Sequence, residues 1–166
     1  MNTKLLIEKL KVKNCLLYMT ITGGGTRAIS MLLENGGASE VFVGAEVPYS
    51  YSIGDKPAHF VTQEYAMRLA KHSHCVGHSE FGRYNCSDLC KSHNSGPIYL
   101  GLGCSASLKK EVEREDRENH ARISIFDGRD YSNVYLVCDK KCSRLEQENF
   151  VSEDILRHLE RFVNEI

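Results

Sequence analysis

Seven consecutive residues, Ile21-Thr22-Gly23-Gly24-Gly25-Thr26-Arg27, join an apolar run to a helical pattern. Three glycines at such a junction leave backbone N–H groups uncovered and let a ligand come close to the main chain. With the positive end of the following helix, those donors make a concavity suited to phosphate or carboxylate. The junction lacks the lysine of a Walker loop and the full spacing of a dinucleotide fingerprint. A second segment of similar character, Ile98 to Ser107, runs from apolar residues into Gly103-Cys104-Ser105-Ala106-Ser107. In open α/β sheets ligands bind beyond the carboxyl ends of strands, where such loops meet, so the two segments are expected to line one cleft.

The elements that hold these segments follow from periodicity. Cys15 to Ile21 has the length and content of a buried strand, and Ile29, Leu32 and Leu33 then recur at helical spacing until Asn35-Gly36-Gly37. Met1 to Leu10 reads as a short amphipathic helix, and Gly37 to Gly44 as a helical turn before a strand end at Ala45–Ser50. Thr62 is placed to cap a helix that fades near His74. Val76 to Gly96, rich in Ser, His, Gly and Cys, reads as a surface excursion. His120 to Phe126 and Tyr131 to Asp139 form a hairpin about Asp127-Gly128. Ser143 and Glu146 have capping-box spacing ahead of a terminal helix whose apolar face carries Leu145, Val151, Ile155, Leu159 and Phe162. The expected architecture is three-layer α/β/α with a mixed sheet, and 1–166 is read as one domain.

Composition narrows the function. A net charge of −1 over 166 residues gives no basic field for general nucleic-acid binding, so no nucleic-acid partner is expected. No apolar stretch approaches spanning length and no export signal is present, so no membrane partner is expected and the chain is read as cytoplasmic. Seven cysteines, an odd number, fit reduced thiols. His72, His74, Cys75, His78, Cys86, Cys90 and His93 crowd one window, but the Cys86-x-x-x-Cys90 spacing is not that of a zinc knuckle. No metal and no cofactor is assigned.

The order Thr22-Gly23-Gly24, Gly37-Ala38-Ser39, Tyr49-Ser50 and Phe60-Val61 resembles the C-terminal domain of the competence/damage-inducible protein CinA. The resemblance covers nearly the whole chain and is nearest a divergent eukaryotic branch with a triple-glycine loop. It implies nicotinamide-nucleotide amidase chemistry, in which the carboxamide of nicotinamide mononucleotide is hydrolysed to release ammonia. It also implies a homo-oligomer. Bacterial members carry Glu-Ser-x-Thr-Gly-Gly, with the serine as nucleophile; the matching residues here are Met19, Thr20, Ile21, Thr22, Gly23 and Gly24. The lysine thought to activate that serine matches Gly54.

Carried over, Thr20 is the candidate hydroxyl, with Tyr49 and Ser50 positioning it. Thr22, Gly23, Gly24, Gly25 and Thr26 form one wall of a mononucleotide site and Gly103, Cys104, Ser105 and Ala106 another, with Arg117 and His120 reaching the phosphate. A hydroxyl nucleophile needs a base within hydrogen-bond reach, and the sequence shows none. The alternative to an amidase is therefore a module that kept the pocket and lost the hydrolytic base.

Overall fold

The computed structural model describes residues 2–49, 60–84, 96–111 and 117–166. Helix α1 (Thr3–Val12) leads into strand β1 (Cys15–Thr22), whose side chains are all buried. Helix α2 (Arg27–Leu33) and a single 3-10 turn (Ala38–Glu40) return the chain to β2 (Phe42–Glu46), so the helical turn expected through Gly44 ends at Glu40 and the strand expected from Ala45 starts at Phe42. Helix α3 (Gln63–Tyr84) precedes the long β3 (Ile98–Ser107), the hairpin β4 (His120–Phe126) and β5 (Tyr131–Val137), and the terminal helix α4 (Arg144–Glu165).

The sheet order is β2-β1-β3-β4-β5, with β1 parallel to β2 and β3 and the last two pairings antiparallel. This is the expected mixed sheet. Cys15, Leu17, Met19 and Ile21 of β1 join Leu100, Leu102, Ile123 and Ile125 beneath the apolar faces of α1, α2 and α4. Each such side chain, fully removed from water, contributes about 1.5–3 kcal/mol. Of the apolar positions assigned to α4, Val151, Ile155, Leu159 and Phe162 are buried, while Leu145 stays exposed.

The opposite face carries α3. A Cβ at Gly103 would overlap the Ala66 carbonyl oxygen, so glycine here lets the helix lie directly on β3. Thr62 Oγ1 caps α3 by accepting the Tyr65 N–H at 3.1 Å. The helix does not fade at His74 but runs to Tyr84. The reason is tertiary: His74, His78 and Phe81 set their rings against Tyr99, and His74 also meets Phe126. Residues 76–84 of the expected surface excursion are thus helix, and Cys86, Cys90 and His93 lie outside the described residues.

Because α2 and α3 lie on opposite faces and lead from β1 to β2 on one side and from β2 to β3 on the other, the gap between β1 and β3 is a topological switch point. Thr22 and Ser105 pair there.

Candidate functional site

Beyond the carboxyl ends of β1 and β3 lies a cleft of about 450 Å³, counted to its open mouth. Thr22 and Gly23 from the first junction, Tyr49, Phe60, Ala106 to Leu108, Lys110, Arg117 and Arg144 line it. Gly23 has φ +83° and packs so closely on the Ala106 carbonyl that no larger residue fits. The two segments singled out by their small residues therefore do meet at one end of the sheet.

Three cations converge on this cleft, and among the described residues no carboxylate lines it. Arg144 is the most tightly held. Its guanidinium donates to the Lys109 carbonyl at 2.9 Å, the Gly23 carbonyl at 3.3 Å and the Tyr49 hydroxyl at 3.0 Å. A cation in the first turn of a helix opposes the helix dipole, so its place there is set by those three acceptors. Ser107 is 5% exposed and lines the same cleft; its hydroxyl oxygen is buried, with no hydrogen-bond partner among the described residues. Buried polar groups without partners are uncommon and costly.

The other expected site residues are placed differently. Thr20 is 1% exposed beneath α3, and its Oγ1 accepts the Ser73 hydroxyl at 2.7 Å; it presents no hydroxyl to the cleft. The alternation of β1 is the cause, since Thr20 falls under α3 while Thr22, two residues on, reaches the open end. Thr22 Oγ1 itself donates to the Pro48 carbonyl at 2.8 Å. Tyr49 lines the cleft, and Ser50 lies outside the described residues.

Gly103, Cys104, Ser105 and Ala106 are not a loop but the end of β3, because the strand continues to pair with β4 as far as Ser107. Of the four, only Ala106 lines the cleft. Gly103 lies under α3, and the Ser105 hydroxyl is spent on the Phe60 carbonyl at 2.8 Å. Cys104 is wholly buried against the Gly24 carbonyl, and burial drives its thiol far above the usual range. It is a core residue and does not line the cleft.

The anion expected at Gly24, Gly25 and Thr26 is supplied by the chain itself. Glu148 of α4 accepts the Gly25 N–H at 2.8 Å, the Thr26 hydroxyl at 3.0 Å and the Arg27 N–H at 3.2 Å. Gly24 packs toward Leu108 and does not line the cleft. Arg117 does line it; His120 does not, standing one strand away from Ser107. Sequence reasoning missed Phe60, Ser107, Leu108, Lys110 and Arg144. The unfavourable charge of Arg144 at a helix start was the legible signal among them.

Among the described residues no group of His, Cys, Asp and Glu side chains is arranged to hold a metal ion. His72 instead faces Glu46 at 3.0 Å, and Tyr18 donates to the same carboxylate at 3.2 Å. No helix among the described residues is long and apolar enough to cross a membrane.

Solved CinA-superfamily structures share this fold. The protein from Klebsiella pneumoniae 700603 superposes with a TM-score of 0.74 over 100% of both chains at 8% identity. That from Escherichia coli gives 0.70 over 96% of this chain and 87% of its own at 9% identity. The Enterobacter cloacae protein gives 0.67 over 99% and 92% at 10% identity. No family model and no curated protein matches the sequence. The chain thus has the CinA-like α/β fold.

Proposed function

We propose that the chain is a binding module for a small phosphate-bearing ligand, held in the cleft between β1 and β3, rather than an amide hydrolase. The observation that carries this reading is the convergence of Lys110, Arg117 and Arg144 on one cleft. The planar guanidinium fork pairs bidentately with two oxygens of a phosphate, and the lysine ammonium adds a point charge. A carboxylate among the lining residues would repel such a ligand, and none lines the cleft among the described residues.

Hydrolysis finds less support. A nucleophile must reach the carbonyl it attacks, and Thr20 sits under α3 with its oxygen engaged by Ser73. The Thr22 hydroxyl is directed at Pro48.

Calorimetry and thermal shift with ribose 5-phosphate test the reading. Binding is expected to weaken at least about tenfold in R117A and in K110A, and to fall steeply with added salt. Ammonia release from nicotinamide mononucleotide is measured in parallel. Turnover that T20A abolishes, or indifference to every phosphate compound tried, overturns the proposal.

A further inference from the structure

Strand β5 closes one end of the sheet, and among the described residues no strand pairs with its outer side. Natural sheet edges are blunted by proline, charge, bulges or a covering element, because open N–H and C=O groups invite a further strand. The opposite edge follows that rule: β2 carries Gly44 and Glu46, and its pairing with β1 shifts register between Leu17 and Tyr18. Strand β5 does not. Its residues, Tyr131-Ser132-Asn133-Val134-Tyr135-Leu136-Val137, include no proline, glycine or charge, and they pair with β4 without a break. Tyr135 is 42% and Val137 51% exposed.

The hairpin decides which backbone groups face outward. Asp127 donates its N–H to the Asp130 carbonyl at 3.4 Å, and Cys138 donates its own to the Asn119 carbonyl at 2.8 Å. Antiparallel ladders alternate hydrogen-bonded and non-hydrogen-bonded pairs, so both ends of this one turn the even-numbered residues of β5 toward β4. Tyr131, Asn133, Tyr135 and Val137 therefore point their N–H and C=O groups away from the sheet.

We infer that β5 pairs antiparallel with β5 of a second copy about a two-fold axis at Val134, joining two sheets edge to edge. Symmetric registers centred on Asn133, Val134 or Tyr135 would all use the outward-facing groups, and the charges flanking the strand choose among them. Centring on Asn133 sets Asp127 against the partner's Asp139, and centring on Tyr135 sets Arg129 against the partner's Lys141. Like charges facing each other across strands are destabilising. Centring on Val134 instead sets Arg129 against the partner's Asp139 and Asp127 against the partner's Lys141. It also lays Tyr131 beside the partner's Val137 and Asn133 beside the partner's Tyr135, each pair exchanging both N–H···O bonds. An expectation of self-association names no surface; the open edge of β5 supplies the surface and its flanking charges the register. Nothing in this pairing depends on what the cleft binds.

Sedimentation equilibrium of the wild type, V137P and V137K tests this, with melting temperatures to establish that the variants fold. The Val137 N–H is one of the outward groups, so proline there leaves the β4–β5 ladder whole and removes a donor between the copies. The wild type is expected to dimerise within about 1–100 μM protein, and both variants to dissociate at least about tenfold more readily. Where V137P fails to fold, V137K decides alone. Oxidation of V134C is expected to trap a covalent dimer above the wild-type background, since a non-hydrogen-bonded pair holds its Cα atoms about 4.5 Å apart, within disulfide range. S132C, set against the partner's Leu136, is expected to stay at that background. A wild type that is monomeric throughout overturns the pairing. Dimers undiminished in the folded Val137 variants overturn it too, because the copies then meet elsewhere. Crosslinking of S132C as readily as V134C overturns the register.

Discussion

Glu148 Oε2 lies 2.8 Å from the Gly25 amide nitrogen, so the anion at the glycine junction comes from a residue 123 positions later in the chain. With Oε1 on Thr26 and Arg27, one carboxylate fastens α4 to the start of α2. One turn earlier on α4, Arg144 holds the Gly23 carbonyl. The two contacts pin both ends of the glycine turn, and the Arg144 end is the one that opens into the cleft.

Removing the Glu148 carboxylate should therefore destabilise the fold and leave an anion-shaped gap. E148A is expected to lose about 2 kcal/mol, as for hydrogen bonds to a charged group, and about 4–8 °C in melting temperature. Added formate or acetate should restore part of that loss in the variant and none in the wild type. Equal response of the two proteins to carboxylate would show that the junction does not depend on this contact.

The hydroxyl pair of Thr20 and Ser73 serves the interior. S73A strands Thr20 Oγ1 beneath α3 and should cost about 1–3 kcal/mol in urea denaturation. T20S, which keeps the oxygen, should cost less than T20V. Neither change should alter ribose 5-phosphate affinity in the folded protein. A loss of affinity at full stability would return Thr20 to the binding site.

The Ser143–Glu146 capping box makes one part of the stability depend on pH. The Ser143 N–H, donated to Glu146 Oε2 at 2.7 Å, holds that carboxyl below its ordinary value of 4.5. A depressed carboxylate stabilises the fold fully above its unfolded pKa, and the contribution is lost as pH falls through the lower folded value. The melting-temperature gap between wild type and E146Q should accordingly be present near neutrality and close in acid. A gap constant down to about pH 3 would contradict the assignment.

Thiol labelling under native conditions should separate the cysteines. Cys75 is exposed, whereas Cys15, Cys104 and Cys138 are buried. Burial raises the Cys15 and Cys138 thiols to about 11 and Cys104 further. Iodoacetamide near neutral pH should modify Cys75 and spare those three, since the thiolate is the reactive form. Peptide mapping that finds Cys104 modified in the folded protein would show the β3 end to be open.

What the sequence by itself determined was local. The apolar run of β1, the Thr62 cap, the Asp127-Gly128 turn and the Ser143–Glu146 box each depend on neighbours within a few residues, so their residue types are sufficient to read them. Asp127 Oδ1, for example, accepts the N–H groups of Arg129 and Asp130 at 2.8 Å. The glycine junction was legible as a place of bare donors for the same reason.

Tertiary structure alone decided what those donors meet. Nothing near Gly25 foretells Glu148, and nothing in Gly103 to Ala106 says that pairing with β4 will extend β3 through them. The length of α3 depended on rings from Tyr99 and Phe126, and the burial of Thr20 on which face of the sheet that helix covered. Lys110, Arg117 and Arg144 are scattered along the chain and have meaning only where they converge. Local preference fixes elements, but a site is made of charges and hydroxyls from separate elements. Which of them are neutralised within the chain and which are left for a ligand is settled only when the elements pack.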